Sequence, residues 1–236
     1  MIMQLFWGKR INDNVILVEG DEVLHLTKSL RKKVGDAVDL IDGSGNIFHS
    51  VITEIQRGKL VAVNMSETPK VNHWKKRLHI AIAPTKNADR MEWFVEKAVE
   101  VGIDTISFIQ CERSVRTNLR MDRIARIVQS AMKQSYNIIN PTIQEKSFDQ
   151  LLTGFNPTAM VGLIAHCEDG IKQAFSDIQF DKPDTWILIG PEGDFSGQEL
   201  ENALRIGFVP LSLGRSRLRT ETAGIYAVSI SRNINI

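Results

Sequence analysis

Short apolar runs separated by tight turns dominate the first 70 residues of the chain. The run VILV at 15–18 is followed by a segment, 25–36, that favours a short helix. Three stretches rich in β-branched residues come next, divided by the turns DGSGN at 42–46 and RGK at 57–59. Glycine-containing turns between such stretches are typical of β-hairpins. Short strands joined in this way predict a small β-barrel.

Beyond residue 72, apolar runs alternate with amphipathic helical segments. The polar segment 66–76, which contains Pro69, separates the two patterns, so we expect domains over 1–72 and 73–236. Strands that alternate with helices predict a parallel sheet covered on both faces, an α/β fold. The expected strands cover 77–84, 105–111, 158–167, 185–190 and 210–214. The expected helices cover 86–102, 119–135, 170–178, 197–208 and 220–234.

Composition narrows the class of protein. The chain has 236 residues, of which 43% are hydrophobic and 24% charged, as is ordinary for a globular protein with a substantial core. It has no run of about 18 apolar residues, the length that crosses a bilayer. The first residues lack the features of a signal peptide. Cys111 and Cys167 have no metal-type spacing, so we expect reduced thiols, no metal and a cytoplasmic protein.

Charge is distributed unevenly along the chain. The net charge is +1, but residues 73–148 carry +5 and residues 149–236 carry −4, whereas residues 1–72 are balanced. A basic segment is compatible with a polyanionic partner such as nucleic acid. A solvated surface of mixed charge explains the same numbers. Charge alone therefore leaves both alternatives open.

Three strand ends in the second half carry unusual loops: LIAHCED at 163–169, LIGPEGDFSGQE at 188–199 and LSLGRSRLRTETA at 211–223. Ligands of open α/β sheets bind beyond the carboxyl ends of the strands. In the second loop the glycines allow the backbone to approach a ligand closely or to adopt positive φ. Ser196 and Glu199 predict a capping box and a helix that begins at Gly197. A plain tight turn between strand and helix is the alternative for this loop.

The third loop combines three arginines with a helix start. Arg215, Arg217 and Arg219 suit a polyanion or a polar substrate, because guanidinium groups make paired hydrogen bonds. The alternative is a helix N-terminus with Thr220 as the cap and Glu221 favoured by the helix dipole. That alternative explains Thr220 and Glu221 but not the arginines, which are unfavourable just before a helix N-terminus.

Two of these motifs, GPEGDFSGQE and LGRSRLRTETAG, together resemble the RsmE family, the uracil-N3 methyltransferases of small-subunit ribosomal RNA in the SPOUT superfamily. HLTKSLRKKVGD and KNADRMEWFVEKAVEVGI are similar to other segments of that family and occur in the same order. The resemblance covers nearly the whole chain. It implies a PUA-like barrel at the N-terminus, a SPOUT-type α/β domain with a deep trefoil knot, and a homodimer. It also implies S-adenosylmethionine as the cofactor and 16S rRNA, within the small ribosomal subunit, as the partner.

The resemblance also implies roles for particular residues. Arg219 is the candidate that stabilises the uracil anion, and Glu221 or Glu192 is the candidate that accepts the N3 proton or orders a water. The alternative for Glu221 is a residue favoured by the helix dipole, and the alternative for Glu192 is a residue that holds backbone amides of its own loop. The residues expected at the cofactor are Leu163, Ile189, Gly190, Pro191, Glu192, Gly193, Leu211, Leu213, Gly214, Leu218 and Thr220. The residues expected to hold RNA are Lys9, Arg10, Arg31, Lys86, Arg90 and Arg113; each of these is also explained as a solvated surface charge.

The sequence departs from the family pattern at three positions. Asp194 stands where the family usually has glycine, Ser216 where an aliphatic residue is frequent, and Asn137 where an arginine is frequent. Two other functions remain open at this point: a SPOUT enzyme that acts on another RNA such as tRNA, and an RNA-binding assembly factor that no longer methylates. The barrel and the RTETAG segment argue against the tRNA enzyme, and the intact glycine loops argue against the assembly factor.

Overall fold

The computed structural model describes residues 4–69, 74–115 and 119–234. The predicted boundary near residue 72 lies in one of the gaps. Contacts between residues divide the chain into two compact units, 1–72 with 129–140, and 73–128 with 141–236. Sequence patterns predicted two continuous segments and did not anticipate that 129–140 would group with the first unit.

The first unit is a six-stranded sheet in the order β1-β4-β5-β6-β3-β2, with a parallel β1–β4 pair and antiparallel pairs elsewhere. Only Gly8 separates β1 from β2, which are the two edge strands, so the sheet is curled into a half-barrel. A Cβ on Gly8 would lie 2.5 Å from Cγ2 of Ile16, which explains the glycine at this crossing. The strands are β1 (Leu5–Trp7), β2 (Lys9–Arg10), β3 (Val15–Glu19), β4 (Ala37–Ile41), β5 (Asn46–Gln56) and β6 (Lys59–Pro69).

The predicted helix at 25–36 is only partly correct. The chain forms a short helix α1 (Asp21–Leu24) that continues as one π-helical turn over His25–Ser29. The helical segment therefore begins and ends earlier than expected. Val23 and Leu26 anchor it, because both side chains are buried in the core of the sheet.

The second unit is a parallel six-stranded sheet in the order β12-β10-β11-β7-β8-β9. The mixed α/β class predicted from the sequence is confirmed. Its strands are β7 (Arg77–Ile82), β8 (Thr105–Gln110), β9 (Thr142–Ser147), β10 (Met160–Ala165), β11 (Asp184–Ile189) and β12 (Val209–Leu211). Its helices are α2 (Ala88–Val101), α4 (Phe148–Thr153), α5 (Gly197–Arg205) and α6 (Thr220–Asn233). Helix α3 (Met121–Ser135) belongs to this unit up to residue 128, and its remaining residues belong to the first unit.

Local sequence signals account for the ends of two helices. The Asn87 side chain accepts a hydrogen bond from the Asp89 amide at the start of α2, and Gly102 ends this helix at φ 110°. The predicted capping box of Ser196 and Glu199 is present, and α5 begins at Gly197 as expected. These ends are encoded locally because a short polar side chain or a glycine satisfies the exposed backbone groups of the terminal turn.

The helix expected over 170–178 does not form. The backbone of Gln173 instead pairs with the β12 region: its amide donates to the carbonyl oxygen of Pro210 at 2.9 Å, and its carbonyl accepts from the amide of Ser212 at 2.8 Å. Only Phe175–Asp177 forms a single 3-10 turn. The segment is held by backbone bonds to a distant strand, which local helical periodicity does not reveal.

Candidate functional site

Three neighbouring parallel strands, β12, β10 and β11, end at one edge of the second sheet. The loops that follow them enclose a cavity of about 710 Å³. This is the edge at which α/β sheets bind ligands, so the cavity is the candidate functional site. Its lining residues are Ala165, His166, Cys167, Lys172, Ile189, Gly190, Pro191, Glu192, Asp194, Leu211, Ser212, Leu213, Gly214, Arg215, Ser216, Arg217, Leu218, Arg219, Thr220 and Ala223.

Most residues expected at the cofactor line this cavity, but two do not. Leu163 is fully buried in the middle of β10, two residues before the lining begins at Ala165. Gly193 lies outside the lining, and a Cβ there would contact Cβ of Arg113 at 3.4 Å. The residues that line the cavity and belong to the expected cofactor set are Ile189, Gly190, Pro191, Glu192, Leu211, Leu213, Gly214, Leu218 and Thr220.

The loop after β11 is held by hydrogen bonds to its own backbone and to the start of α6. Thr220 does not cap that helix, so the alternative explanation of the third loop fails at this residue; Arg219 occupies the cap position without a side-chain bond. The hydroxyl of Thr220 donates instead to the carbonyl oxygen of Gly190 at 3.1 Å, in a buried position. The amide of Asp194 donates to the carbonyl oxygen of Pro191 at 2.9 Å. Thr220 therefore ties the third loop to the second.

Arg113, expected to hold RNA, braces this same loop. Its guanidinium donates to the carbonyl oxygens of Gly193 at 3.2 Å and Phe195 at 3.1 Å. The carbonyls at a tight turn are otherwise exposed, so these bonds support the loop conformation. The structure gives Arg113 a local supporting contact that the sequence did not predict.

Glu192 and Glu221, the two candidate proton acceptors, occupy different surroundings. Glu192 is exposed and lines the cavity, and its Oε1 accepts a hydrogen bond from the Lys86 amide at 3.3 Å. Glu221 is buried in the first turn of α6 and does not belong to the lining. Its Oε1 lies 3.6 Å from Nε of Arg90, and its buried Oε2 has no hydrogen-bond partner among the described residues. Geometry thus brings Glu192, rather than Glu221, to the cavity.

Arg215, Arg217 and Arg219 are exposed and all line the cavity. Within the described part of the chain, none of the three makes an ion pair. Three uncompensated guanidinium groups beside one cavity create a positive potential that favours an anionic ligand.

His166 was not among the predicted site residues, although its loop was singled out. Both ring nitrogens are buried and lack a hydrogen-bond partner within residues 4–69, 74–115 and 119–234. Burial, and secondarily the charge of Lys172, lowers the pKa of His166 below its ordinary value. The ring is therefore neutral at neutral pH and has one donor and one acceptor nitrogen that no described residue satisfies.

The predicted RNA contacts of the first unit fall into two groups. Lys9 and Arg31 are exposed. Arg10 is half-buried; it pairs with Glu67 at 3.1 Å and Asp13 at 3.3 Å. Arg10 therefore already has two carboxylate partners, and Lys9 and Arg31 are the more available cations.

Two further sequence expectations concern cysteine and metal. Cys111 and Cys167 are free thiols. In the described residues, no group of three or more His, Cys, Asp or Glu side chains is arranged to hold a metal ion.

Two protein-family profiles match the chain. A profile for an RNA methyltransferase domain matches residues 72–232, which include the whole cavity, and a profile for an RNA methyltransferase PUA domain matches residues 18–63. The chain belongs to the RNA methyltransferase family. The sheet, the cavity and the three loops described above are the methyltransferase part of this family member.

Three similar proteins indicate which RNA methyltransferases this chain resembles. A probable rRNA-methyltransferase from Porphyromonas gingivalis is 38% identical, with a TM-score of 0.89, over 99% of this chain and 98% of that one. Ribosomal RNA small subunit methyltransferase E from Neisseria gonorrhoeae, solved bound to S-adenosyl methionine, is 25% identical, with a TM-score of 0.84 and the same coverage. Its Bacillus subtilis namesake is 27% identical over 224 residues, 90% of this chain and 87% of that protein. The RsmE family is confirmed, and so are the main parts of the predicted fold, an α/β domain with a parallel sheet and a PUA domain in the N-terminal part of the chain.

The two loop glycines of this methyltransferase provide a matched pair of variants. A Cβ on Gly190 would lie 3.1 Å from two ring carbons of Phe195, which is fully packed, whereas a Cβ on Gly193 makes only an ordinary contact. We expect Gly190→Val to displace the cavity loop and to weaken S-adenosylmethionine binding at least about tenfold, as misfit in a packed interior costs about 1–3 kcal/mol. Gly193→Val should bind within about twofold of the wild type. Titration calorimetry measures both; equal losses would place Gly193 at the cofactor after all.

Proposed function

We propose that the protein is an S-adenosylmethionine-dependent methyltransferase that methylates N3 of a uridine in 16S rRNA of the small ribosomal subunit. The observation that carries the proposal is the cavity at the carboxyl edge of the sheet, formed by three loops and bordered by three arginines without an ion-pair partner among the described residues. A relative solved with S-adenosyl methionine supports the cofactor, and relatives named for small-subunit rRNA support the substrate.

The cavity suits an adenosyl cofactor in size and in chemistry. Its volume of about 710 Å³ lies within the range of small-molecule sites. Ile189, Leu211 and Leu218 supply apolar surface, while the backbone of the glycine loops and the imidazole of His166 supply polar groups. We propose the cofactor set of the sequence analysis, without Leu163 and Gly193, as the residues that hold it. When bound, S-adenosylmethionine supplies an electrophilic methyl group on a sulfonium.

Arg219 is proposed to stabilise the charge that develops on the uracil. N3 of uridine carries a proton, so negative charge spreads onto the neighbouring carbonyl oxygens as that proton leaves. The Arg219 guanidinium lines the cavity, is exposed and makes no ion pair with another described residue, so its donors are available to those oxygens. Donors aimed at a developing anion are among the largest contributors to catalysis.

Glu192 is proposed to accept the N3 proton or to order the water that accepts it. One of its oxygens is oriented by the Lys86 amide, and its side chain belongs to the cavity lining. Glu221 has a different proposed role, since it neutralises Arg90 and favours the first turn of α6 through the helix dipole. This division gives each of the two candidate carboxylates one role.

RNA is proposed to contact the arginines of the cavity, and exposed cations of the first unit are proposed to provide separate phosphate contacts. Arg215 and Arg217 are exposed, and Lys86 and Lys9 are exposed lysines. Arg31 adds a further exposed cation, whereas Arg10, Arg90 and Arg113 act mainly through the contacts described above. Phosphate contacts of this kind make affinity fall steeply with salt.

We further propose that residues 1–72 form the RNA-binding domain and 73–236 the methyltransferase domain, and that the enzyme is a homodimer acting in the cytoplasm, where its rRNA substrate is assembled. No helix in the described ranges has both the length and the apolar character needed to cross a membrane.

Sedimentation at micromolar concentration should give a dimer, because the family resemblance implies an active site completed by the second subunit. An active monomer would contradict this.

Mass spectrometry of ribosomal RNA tests the proposed reaction. Small-subunit rRNA from cells that lack this chain should have lost one methyluridine, and the purified protein with S-adenosylmethionine should restore it. Isolated small subunits, free 16S rRNA and tRNA are compared as substrates. Methylation of tRNA alone would replace the proposed substrate, and cofactor binding with methylation of none of the three would exclude the proposed activity.

A further inference from the structure

Asp194 occupies a backbone conformation that disfavours residues with a side chain. Its φ is 63°, in the left-handed region, which among residues with a Cβ only asparagine and aspartate visit with some ease. Glycine would adopt this conformation without cost. A residue that accepts such strain at the border of a functional cavity is expected to contribute something that glycine does not.

The contribution is a pair of hydrogen bonds from two different loops. Oδ2 of Asp194 accepts from the Cys167 amide at 2.7 Å, and Oδ1 accepts from the Phe195 amide at 2.9 Å. Cys167 follows β10 and Asp194 follows β11, so one carboxylate fastens the ends of two neighbouring strands. Hydrogen bonds to an ionised acceptor are stronger than neutral ones.

The fastened loop carries the imidazole of His166. This residue directly precedes Cys167, lines the same cavity as Asp194, and has both ring nitrogens buried without a partner among the described residues. Orphaned donors and acceptors in a buried position cost free energy unless a ligand or water meets them. A ring held in this way is set to receive a ligand group that both donates and accepts, such as a hydroxyl.

We propose that Asp194 is a positioning residue for cofactor binding: its carboxylate ties the loop after β10 to the loop after β11 and holds His166 toward the bound ligand. His166 is the contacting residue, and Asp194 acts through it. The proposal rests on the proposed function, since it assumes that the cavity binds an adenosyl cofactor.

Binding of S-adenosylhomocysteine, measured by titration calorimetry with the full-length protein, tests the positioning role. Asp194→Gly removes both hydrogen bonds and relieves the strained φ, so affinity should fall about tenfold. Its thermal midpoint should stay within about 4 °C of the wild type, because gain and loss offset each other. Asp194→Asn keeps tolerance of the left-handed region and one acceptor oxygen, so its affinity should lie between the two. Wild-type affinity in both variants would overturn the proposal.

Asp36 in the first unit provides a matched control. Its Oδ2 accepts a hydrogen bond from the Lys33 amide at 2.7 Å, a similar carboxylate–amide bond far from the cavity in sequence and in the other unit. Asp36→Asn should change stability without changing affinity for S-adenosylhomocysteine. A loss of affinity equal to that of Asp194→Asn would mean that general destabilisation, rather than positioning, weakens binding, and would overturn the proposal.

A double-mutant cycle tests whether Asp194 acts through His166. His166→Ala should weaken binding about tenfold, and adding Asp194→Gly should weaken it by no more than about threefold further, since the positioned ring is then absent. A full product of the two single losses would overturn action through His166. Failure of the wild type to bind S-adenosylhomocysteine would instead defeat the proposed function, and the two failures are thus distinguishable.

Discussion

Replacing Arg219 by alanine should lower kcat about 10²–10³-fold while the affinity for S-adenosylmethionine stays nearly unchanged, which is the loss typical of one donor to a developing oxyanion. The side chain caps no helix amide, makes no ion pair with another described residue and lines the cavity, so its removal leaves no buried group unsatisfied. Single-turnover methylation with saturating RNA measures the chemical step, and calorimetry measures the cofactor.

Two other roles for Arg219 give different results. A phosphate contact would lower RNA affinity and flatten its salt dependence, with kcat at saturating RNA near the wild type. A structural role would lower the thermal midpoint and worsen both parameters. Arg219→Lys keeps the charge but not the planar fork, so it should rescue a phosphate contact better than a contact to the base. Arg205→Ala, at an exposed arginine on α5 outside the cavity, is the matched control. Turnover at the wild-type rate in Arg219→Ala would exclude the catalytic assignment.

Replacing Glu192 by glutamine should lower kcat about 10²-fold, the lower end of what a positioned proton acceptor contributes. Glutamine keeps the size of the side chain and an acceptor for the Lys86 amide, so the loop and cofactor affinity should be preserved. The second carboxylate oxygen of Glu192 is replaced by an NH2 group, which cannot accept the proton. The rate is measured at saturating RNA and cofactor, with thermal stability recorded in parallel.

The variant Glu221→Gln distinguishes the proposed role of Glu221 from that of Glu192. This change removes the charge beside Arg90 and in the buried first turn of α6, so it should cost about 1–2 kcal/mol of stability, the range of a helix-dipole effect at a buried position. Its kcat should stay within about threefold of the wild type, because Glu221 is absent from the cavity lining. A hundredfold loss of rate in Glu221→Gln with normal turnover in Glu192→Gln would reverse the proposed roles.

Local sequence was sufficient for the end of α2 and the start of α5, for the α/β class and for the loops that form the cavity. Ser196 with Glu199, and Gly102, act on the backbone within one turn, so their effects are visible in a short window. Apolar strands that alternate with amphipathic helices leave little choice other than a covered parallel sheet. The GPEGDFSGQE and LGRSRLRTETAG motifs then identified the family, since such long motifs rarely arise in the same order by chance.

Local sequence patterns gave the wrong secondary structure for an edge strand and for a segment that bonds to a strand distant in sequence. Strand β9 was missed because it lies at the sheet edge, and its sequence TIQEKS has no apolar run. The helix expected over 170–178 is absent because Gln173 bonds to the β12 region. Both errors have one physical cause. The backbone of each segment forms hydrogen bonds with a strand distant in sequence, and such bonds require no regular spacing of apolar side chains.

The sequence by itself determined which loops meet at the site; only the tertiary structure decided what each side chain does there. Hydrogen bonds between Arg113 and the loop after β11, and between Asp194 and Cys167, join residues 80 to 82 and 27 positions apart. No spacing rule connects such pairs, because they depend on how the strands are ordered in the sheet. The same ordering brings Glu192 to the cavity and leaves Glu221 beside Arg90, a distinction between two carboxylates that their sequence surroundings do not contain.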